Sequence, residues 1–287
     1  MKTVKFLSIT LITVIIGYGI GLAGSDGGQL YQGTPIFLAC VALAFIINWA
    51  AFVPAFFLQT EKFYDLTGSL TYLSLIGSSL YLSQNKNTLT YLLAALVIIW
   101  AVRLGTFLFR RIHRDGKDDR FDNIKPNFFR FLNAWSIQAL WVVLTAAPVF
   151  VAISTVERQD FSLYTYIGLI LWVTGFAIEV IADQQKTNFK KDPKNKGKFI
   201  NTGLWSRSRH PNYFGEILLW FGVSIIVFPL LQGWQYAVLI SPIFVTFLLT
   251  RVSGVPMLAA KGQKKWGDQA DYQEYLKNTP VLIPRLD

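Results

Sequence analysis

Residues 207–231 read RSRHPNYFGEILLWFGVSIIVFPLL. From Asn212 onward the run is apolar enough, and at about 20 residues long enough, to cross a bilayer as a helix. Its opening is not apolar at all. Two arginines, a histidine, an asparagine and a glutamate stand where hydrocarbon would begin. Pro211 suits the first turn of a helix, so the span is predicted to start there. Asn212 and Glu216 then lie four apart on one helical face.

The rest of the chain repeats the pattern. Of 287 residues, 53% are hydrophobic and only 15% charged, where a soluble domain is closer to a quarter charged. The apolar residues fall in eight blocks, roughly 5–23, 35–58, 66–83, 88–109, 131–153, 162–182, 212–231 and 234–254. The fold class expected is an all-α integral membrane protein, a bundle of about eight transmembrane helices. Two parts are expected within it: an N-terminal transmembrane hairpin over 1–60 and a membrane domain over 61–287.

The connecting segments divide by charge. One side holds Lys2, Lys5, Lys62, the loops RRIHRDGKDDRFDNIKPNFFR (110–130) and QQKTNFKKDPKNKGKFINTGLWSRSR (184–209), and the tail from Arg251. The other holds only Lys86 and Arg158. The positive-inside rule then puts both termini and the basic loops in the cytoplasm. The net charge of +10 reflects topology and contact with anionic lipid rather than nucleic acid. The opening MKTVKFLSITLITVIIGYGIGLAG (1–24) also has the format of a secretory signal. Its cleavage would leave seven spans without moving any later loop. The length of the apolar run favours a retained helix.

One cysteine, Cys40, excludes an internal disulfide. Two distant histidines do not supply a metal site. Neither a glycine-rich dinucleotide fingerprint nor a Walker loop is present. The informative residues are ionisable groups at depth, which cost several kcal/mol unless they have a partner or a function. Glu179 and Asp183 share a face at the end of the sixth span, with Lys186 nearby. Arg207, Arg209 and His210 precede a helix N-terminus, a setting that favours an anion such as phosphate. Tyr64 and Asp65 stand where the third span begins, where Asp65 is equally a helix cap or a catalytic acid. Arg103 and Arg251 lie near helix ends, where snorkelling is the default. His113 belongs to a charged loop. Asn48, Asn133 and Gln138 fit interhelical hydrogen bonds.

GLWSRSRHPNYFGEILLWFG (203–222), DYQEYLKNTPVLIP (271–284) and TEKFYDLTG (60–68) resemble membrane steroid 5-alpha-reductase-like proteins, closest to their bacterial branch, from about Glu61 onward. The resemblance implies NADPH-dependent reduction of a carbon–carbon double bond conjugated to a ketone. It also implies a cofactor entering from the cytoplasm, an apolar small-molecule substrate entering from the bilayer lipid, and a place in the bacterial inner membrane. Residue by residue, it implies cofactor contacts by Glu179, Asp183, Lys190, Arg209, His210, Asn212, Tyr213, Glu216 and Arg251, and catalysis by Tyr64 and Asp65. Some family features differ here. The acid's partner tyrosine falls near Val102 and Arg103, Glu179 replaces an asparagine, and SGVPMLAAKGQ (253–263) lacks a histidine and a tyrosine. Chemically, hydride addition to an enone drives negative charge onto the carbonyl oxygen, which a protonated acid or a tyrosine hydroxyl would stabilise.

Two alternatives remain. The core RHPNY.G is shared with isoprenylcysteine-type methyltransferases, which use S-adenosylmethionine. Their closing segment usually carries paired glutamates, which GDQADYQEYLKNTP (267–280) lacks. A lipid-binding or transport protein would instead spread polar residues along mid-membrane. Oligomeric state is not legible.

Overall fold

The computed structural model describes residues 2–84, 86–156 and 160–285, with side chains from Phe6 onward in the first helix. Arg158 and the side chains of Lys2 and Lys5 lie outside the described residues. Among the described residues eleven α-helices follow in order: α1 (Lys2–Gly24), α2 (Ile36–Phe57), α3 (Tyr64–Leu82), α4 (Thr88–Asp115), α5 (Phe128–Ser154), α6 (Leu163–Lys191), α7 (Leu204–Arg207), α8 (Pro211–Val227), α9 (Ile240–Phe247), α10 (Val255–Trp266) and α11 (Ala270–Asn278). A two-stranded antiparallel hairpin, β1 (Leu30–Tyr31) with β2 (Thr34–Pro35), is the only sheet among the described residues. The protein is an all-α, multi-pass membrane protein in a lipid environment. Among the described residues, seven segments are long and apolar enough to cross a membrane. α3 occupies the place of the remaining expected span but falls outside those seven, being rich in Thr, Ser, Gly and Tyr.

Several helix ends differ from expectation. α4 runs to Asp115, not 109, because nothing breaks RRIHRD before Gly116, whose φ of 82° ends the helix. α6 runs nine residues past 182, to Lys191. Lysines in its last turn suit the negative helix end, and Pro193 forces Asp192 into extended backbone. The last expected span, 234–254, is not one helix. It is a 3-10 turn (Gly233–Leu239), α9, a π turn (Leu248–Val252) and then α10. The Ser253 N–H donates to Leu248 O at 2.9 Å, and Pro256 has no N–H with which to continue the ladder.

The chain forms two compact units. The first comprises residues 1–161 with 227–240. Its axis is α5, which packs against α1, α2, α3 and α4 and buries Ala139, Val143, Ala146, Val149 and Phe150 completely. Polar side chains brace this apolar interior. Thr10 Oγ1 donates to Asn133 Oδ1 at 2.5 Å and Trp49 Nε1 to Ser136 Oγ at 2.9 Å. Gln138 Nε2 donates to Asn48 Oδ1 at 2.9 Å and to Tyr64 O at 3.0 Å, and Asn48 Nδ2 to Thr71 Oγ1 at 3.2 Å. Asn48, Asn133 and Gln138 are therefore the interhelical partners their sequence positions suggested. At one end, Asp26 Oδ2 accepts the Trp234 N–H at 2.9 Å, and Gln235 Nε2 donates to Asp26 O at 2.7 Å.

The second unit comprises residues 162–226 with 241–287. Its framework is a backbone contact between α6 and α8. A Cβ on Gly168 would come within 2.4 Å of Gly222 O, and one on Gly175 within 2.5 Å of Gly215 O. The contact is reciprocal, at 2.5 Å in both reverse cases. Two glycines seven residues apart on each helix thus let the antiparallel backbones touch. Gly175→Ala is expected to lower the melting temperature in detergent, at a cost of about 1–3 kcal/mol. Gly19→Ala, at a position facing open space, is the control and should leave the melting temperature unchanged or slightly raised.

Candidate functional site

The glycine contact fixes what stands at the open end of α6 and α8. Glu179 is 2% exposed and Asp183 6%. They lie on one α6 face, with Lys186 and the exposed Lys190 further along it. A Cβ on Gly215 would sit 2.7 Å from Glu179 N, so the Glu179 turn lies against the turn of α8 that carries buried Glu216. One turn further out, Asn212 Nδ2 donates to Asp183 Oδ1 at 3.1 Å. Asn212, Glu216, Glu179 and Asp183 are therefore one cluster.

α8 begins at Pro211, as expected. The segment before it is pinned on both sides. Trp205 Nε1 donates to Ala182 O at 3.0 Å, Leu204 N–H to Gln185 Oε1 at 3.0 Å, and Lys186 Nζ lies 4.4 Å over the Trp205 ring. The closing segment pairs with it as well. Arg209 N–H donates to Pro280 O at 2.9 Å, Ser208 Oγ to Leu282 O at 2.7 Å, Arg285 N–H to Arg207 O at 3.0 Å, and Tyr275 Oη to Trp205 O at 2.7 Å. RSRHPN and NTPVLIP, quoted separately from the sequence, are thus one structure. Tyr213 stacks on His210 at 5.3 Å and 7°. Its ring also lies 2.8 Å from where a Cβ on Gly254 would be, next to the π turn that holds exposed Arg251.

Within this well-braced segment three buried atoms have no hydrogen-bond partner among the described residues: Arg209 Nε, His210 Nδ1 and Asn212 Oδ1. A buried polar atom left unsatisfied costs about 1–3 kcal/mol. Two of the three belong to consecutive residues, and the third stands one proline further on. Burial, and then the charges of Lys186 and Arg209, pull the His210 imidazole down from its usual value to about 3. It is neutral at pH 7, with both cations beside it.

In the first unit, α3 begins at Tyr64, its N-cap is Phe63, and no side chain caps it. Asp65 is thus not the cap. It lies in the first turn, favourable for a carboxylate, with its side chain 21% exposed and its Oδ2 3.4 Å from Arg111 Nη2. The Tyr64 hydroxyl donates to Ala134 O at 2.9 Å. Arg103 lies over the Phe107 ring at 5.4 Å. His113 is exposed in the last turn of α4 and meets Phe109 O through Nδ1. No group of three or more metal-binding side chains occurs among the described residues. Arg111 was missed as a partner of Asp65, since the two are 46 positions apart.

The unfolded chain takes up a proton on His210 near pH 6.5, whereas the folded chain does so only near 3. The stability present above pH 6.5 is therefore lost progressively as pH falls through that window, by at most about 1.4 kcal/mol per pH unit. His210→Asn is expected to flatten the decline of melting temperature between pH 6.5 and 5.

Residues 51–279 match the family described as Protein of unknown function (DUF1295). A bovine 3-oxo-5-alpha-steroid 4-dehydrogenase 1 is 30% identical over 121 residues, 42% of this chain and 41% of that protein. The steroid 5-alpha-reductase DET2 of Gossypium hirsutum is 27% identical over 157 residues, 54% of this chain and 53% of that protein. A probable O-methyltransferase, ustE of Ustilaginoidea virens, is 32% identical over 74 residues, 26% of each chain. The chain spans about half the length, or less, of these curated relatives. No solved structure matches it. Matched over most of its length, the chain belongs to the DUF1295 family, a steroid 5-alpha-reductase-like group of membrane proteins.

Proposed function

We propose that this protein is a membrane-embedded, NADPH-dependent reductase of the carbon–carbon double bond of an enone in a lipid or steroid-like substrate. The observation that carries the proposal is the trio of unsatisfied buried atoms on Arg209, His210 and Asn212. They stand at the N-terminus of a long helix, where free N–H groups and the positive helix end attract an anion. The Arg209 and His210 nitrogens suit a dinucleotide phosphate, while the Asn212 oxygen accepts and suits a donor group of the cofactor. Arg209 supplies charge, the exposed Lys190 and Arg251 supply more, and neutral His210 offers an imidazole without adding to the local repulsion. Glu179, Asp183, Asn212, Tyr213 and Glu216 would hold the neutral polar parts of the cofactor. The resemblance of the sequence motifs to steroid 5-alpha-reductase-like proteins favours NADPH as that cofactor.

When bound, NADPH would supply the hydride. Asp65 would hydrogen-bond the substrate carbonyl oxygen, where negative charge grows, and release its proton as the reduced product forms. Arg111 would meet the carboxylate left behind. The Tyr64 hydroxyl already donates its hydrogen bond to the Ala134 carbonyl, so its role would be to hold the first turn of α3 against α5. The substrate would enter from the lipid, in a bacterial inner membrane, with the basic loops and the cofactor site facing the cytoplasm. A second possibility is methyl transfer from S-adenosylmethionine, favoured by the likeness to a probable O-methyltransferase.

Binding to the detergent-purified protein separates the two. NADPH is expected to bind and S-adenosylmethionine not, with Glu216→Gln weakening NADPH at least tenfold. Binding of S-adenosylmethionine alone would overturn the reductase. With an enone substrate, Asp65→Asn is expected to lower kcat by about 10²–10⁴ and leave the NADPH Kd unchanged. An unchanged kcat would remove Asp65 from the chemistry.

A further inference from the structure

Residues 116–127 connect α4 to α5 and belong to the first unit. They form a strap with both ends tied to one carboxylate. Glu61, only 4% exposed, accepts the Asp118 N–H on Oε1 at 2.9 Å and pairs through Oε2 with Lys125 Nζ. Between the ties a 3-10 turn (Asp119–Phe121) inserts Phe121 into the core. Its ring lies 4.9 Å from that of Tyr64 and 6.2 Å from that of Phe131. Arg120 is held on Asp118 by Nε at 2.8 Å and Nη2 at 2.5 Å, and its charge acts on Tyr64 and Asp65. Asp65 therefore has Arg111 from α4, and Arg120 with Asp118 from the strap, around it.

A surface loop needs no buried glutamate to hold it. Burial pushes the Glu61 carboxyl up, but the Lys125 ammonium and the Asp118 N–H outweigh burial and hold it below the ordinary range. Glu61 is thus an anion at neutral pH with both oxygens engaged. Removing it would leave the Lys125 ammonium, 15% exposed, with Asp122 at 4.0 Å as its remaining ion-pair partner among the described residues.

We infer that Glu61 is a positioning residue: by tying Asp118 and Lys125 it holds the 116–127 strap against Tyr64 and fixes Arg120 beside Asp65. The inference rests on the proposal above in giving Asp65 a proton to release. Once the proton has left, Arg111 and Arg120 would stabilise the negative charge that remains on Asp65. The strap supplies one of those cations, and Glu61 keeps the strap in place.

The test uses the full chain in detergent with Glu61→Gln. Hydrogen exchange at amides 118–125 reads the strap. Carbodiimide labelling of Asp65, followed by mass spectrometry, reads the acid's surroundings without any substrate. Enone reduction with NADPH reads the chemistry. Amide protection should fall at least tenfold and Asp65 labelling should rise several-fold. kcat should drop roughly ten- to hundredfold with the NADPH KM unchanged. In an Asp65→Asn background the same change should cost nothing further, since its effect passes through Asp65. Unchanged exchange or unchanged labelling would overturn the inference, as would an equal loss of kcat with and without Asp65. If wild-type protein reduces no enone yet labelling rises in Glu61→Gln, the reductase proposal falls and the strap stands. Should Glu61→Gln not fold, Arg120→Gln leaves both ties intact. It should raise labelling and lower kcat while strap exchange stays as in wild type, and unchanged labelling there also overturns the inference.

Discussion

The backbone contact of α6 with α8 sets where Glu179, Asp183, Asn212 and Glu216 stand in the second unit. Gly168 against Gly222 and Gly175 against Gly215 bring the helices closer than any side chain would allow. Small residues serve association in lipid because there is no hydrophobic drive between helices there, only packing and hydrogen bonds. The contact also dictates a register. With Gly175 opposite Gly215, Glu179 falls beside Glu216 and Asp183 opposite Asn212, and the last pair is bonded at 3.1 Å. A shift by one helical turn would bring different residues together, so the glycines fix the site without touching a ligand.

The two units treat buried polarity in opposite ways. In the first, Asn48, Thr71 and Gln138 meet one another and the Tyr64 carbonyl, a braced network that adds rigidity where water cannot reach. In the second, the backbone of residues 207–209 is bonded to the closing segment, yet neighbouring side-chain atoms of Arg209, His210 and Asn212 have no partner among the described residues. Fixing a segment so firmly while leaving polar side-chain atoms unsatisfied suits pre-organisation, because a ligand would meet hydrogen-bonding groups whose ordering cost has already been met.

Much of this was legible in the sequence, and the limits have physical reasons. Helix existence followed from apolar length, and the start of α8 from Pro211. The pairing of Glu179 with Asp183 followed from helical spacing. Helix ends were less legible where the sequence merely permits continuation, as in QQKTNFKK beyond Asp183 (184–191). The π turn at Leu248–Val252 depends on a hydrogen bond from Ser253 that no local pattern announces. Asp65 could be placed at a helix start, but its pairing with Arg111, 46 positions away, depends on how α3 meets α4. Glu61, within TEKFYDLTG, carries no local signal of its own. Its signal lay in GKDDRFDNIK (116–125), where one aromatic residue among alternating charges marks a loop that must turn inward.

The order of charges along α6 carries a further consequence. Glu179 and Asp183 are buried, while Lys186 and Lys190 follow nearer the helix end. Carboxyl groups thus lie deep and ammonium groups shallow on one face. An anionic group is better placed at Lys190 and Arg209, beside cations and a helix N-terminus, than at the depth of two carboxyl groups. A ligand with an anionic end and a neutral polar end would accordingly enter with the anionic end at the rim and the neutral end beside Glu179 and Glu216. Neutral His210 belongs to the same ordering. With Lys186 and Arg209 already beside it, a third positive charge would add repulsion before any anion arrived. A neutral ring at that position keeps the rim attractive while limiting the cost of holding the cations together.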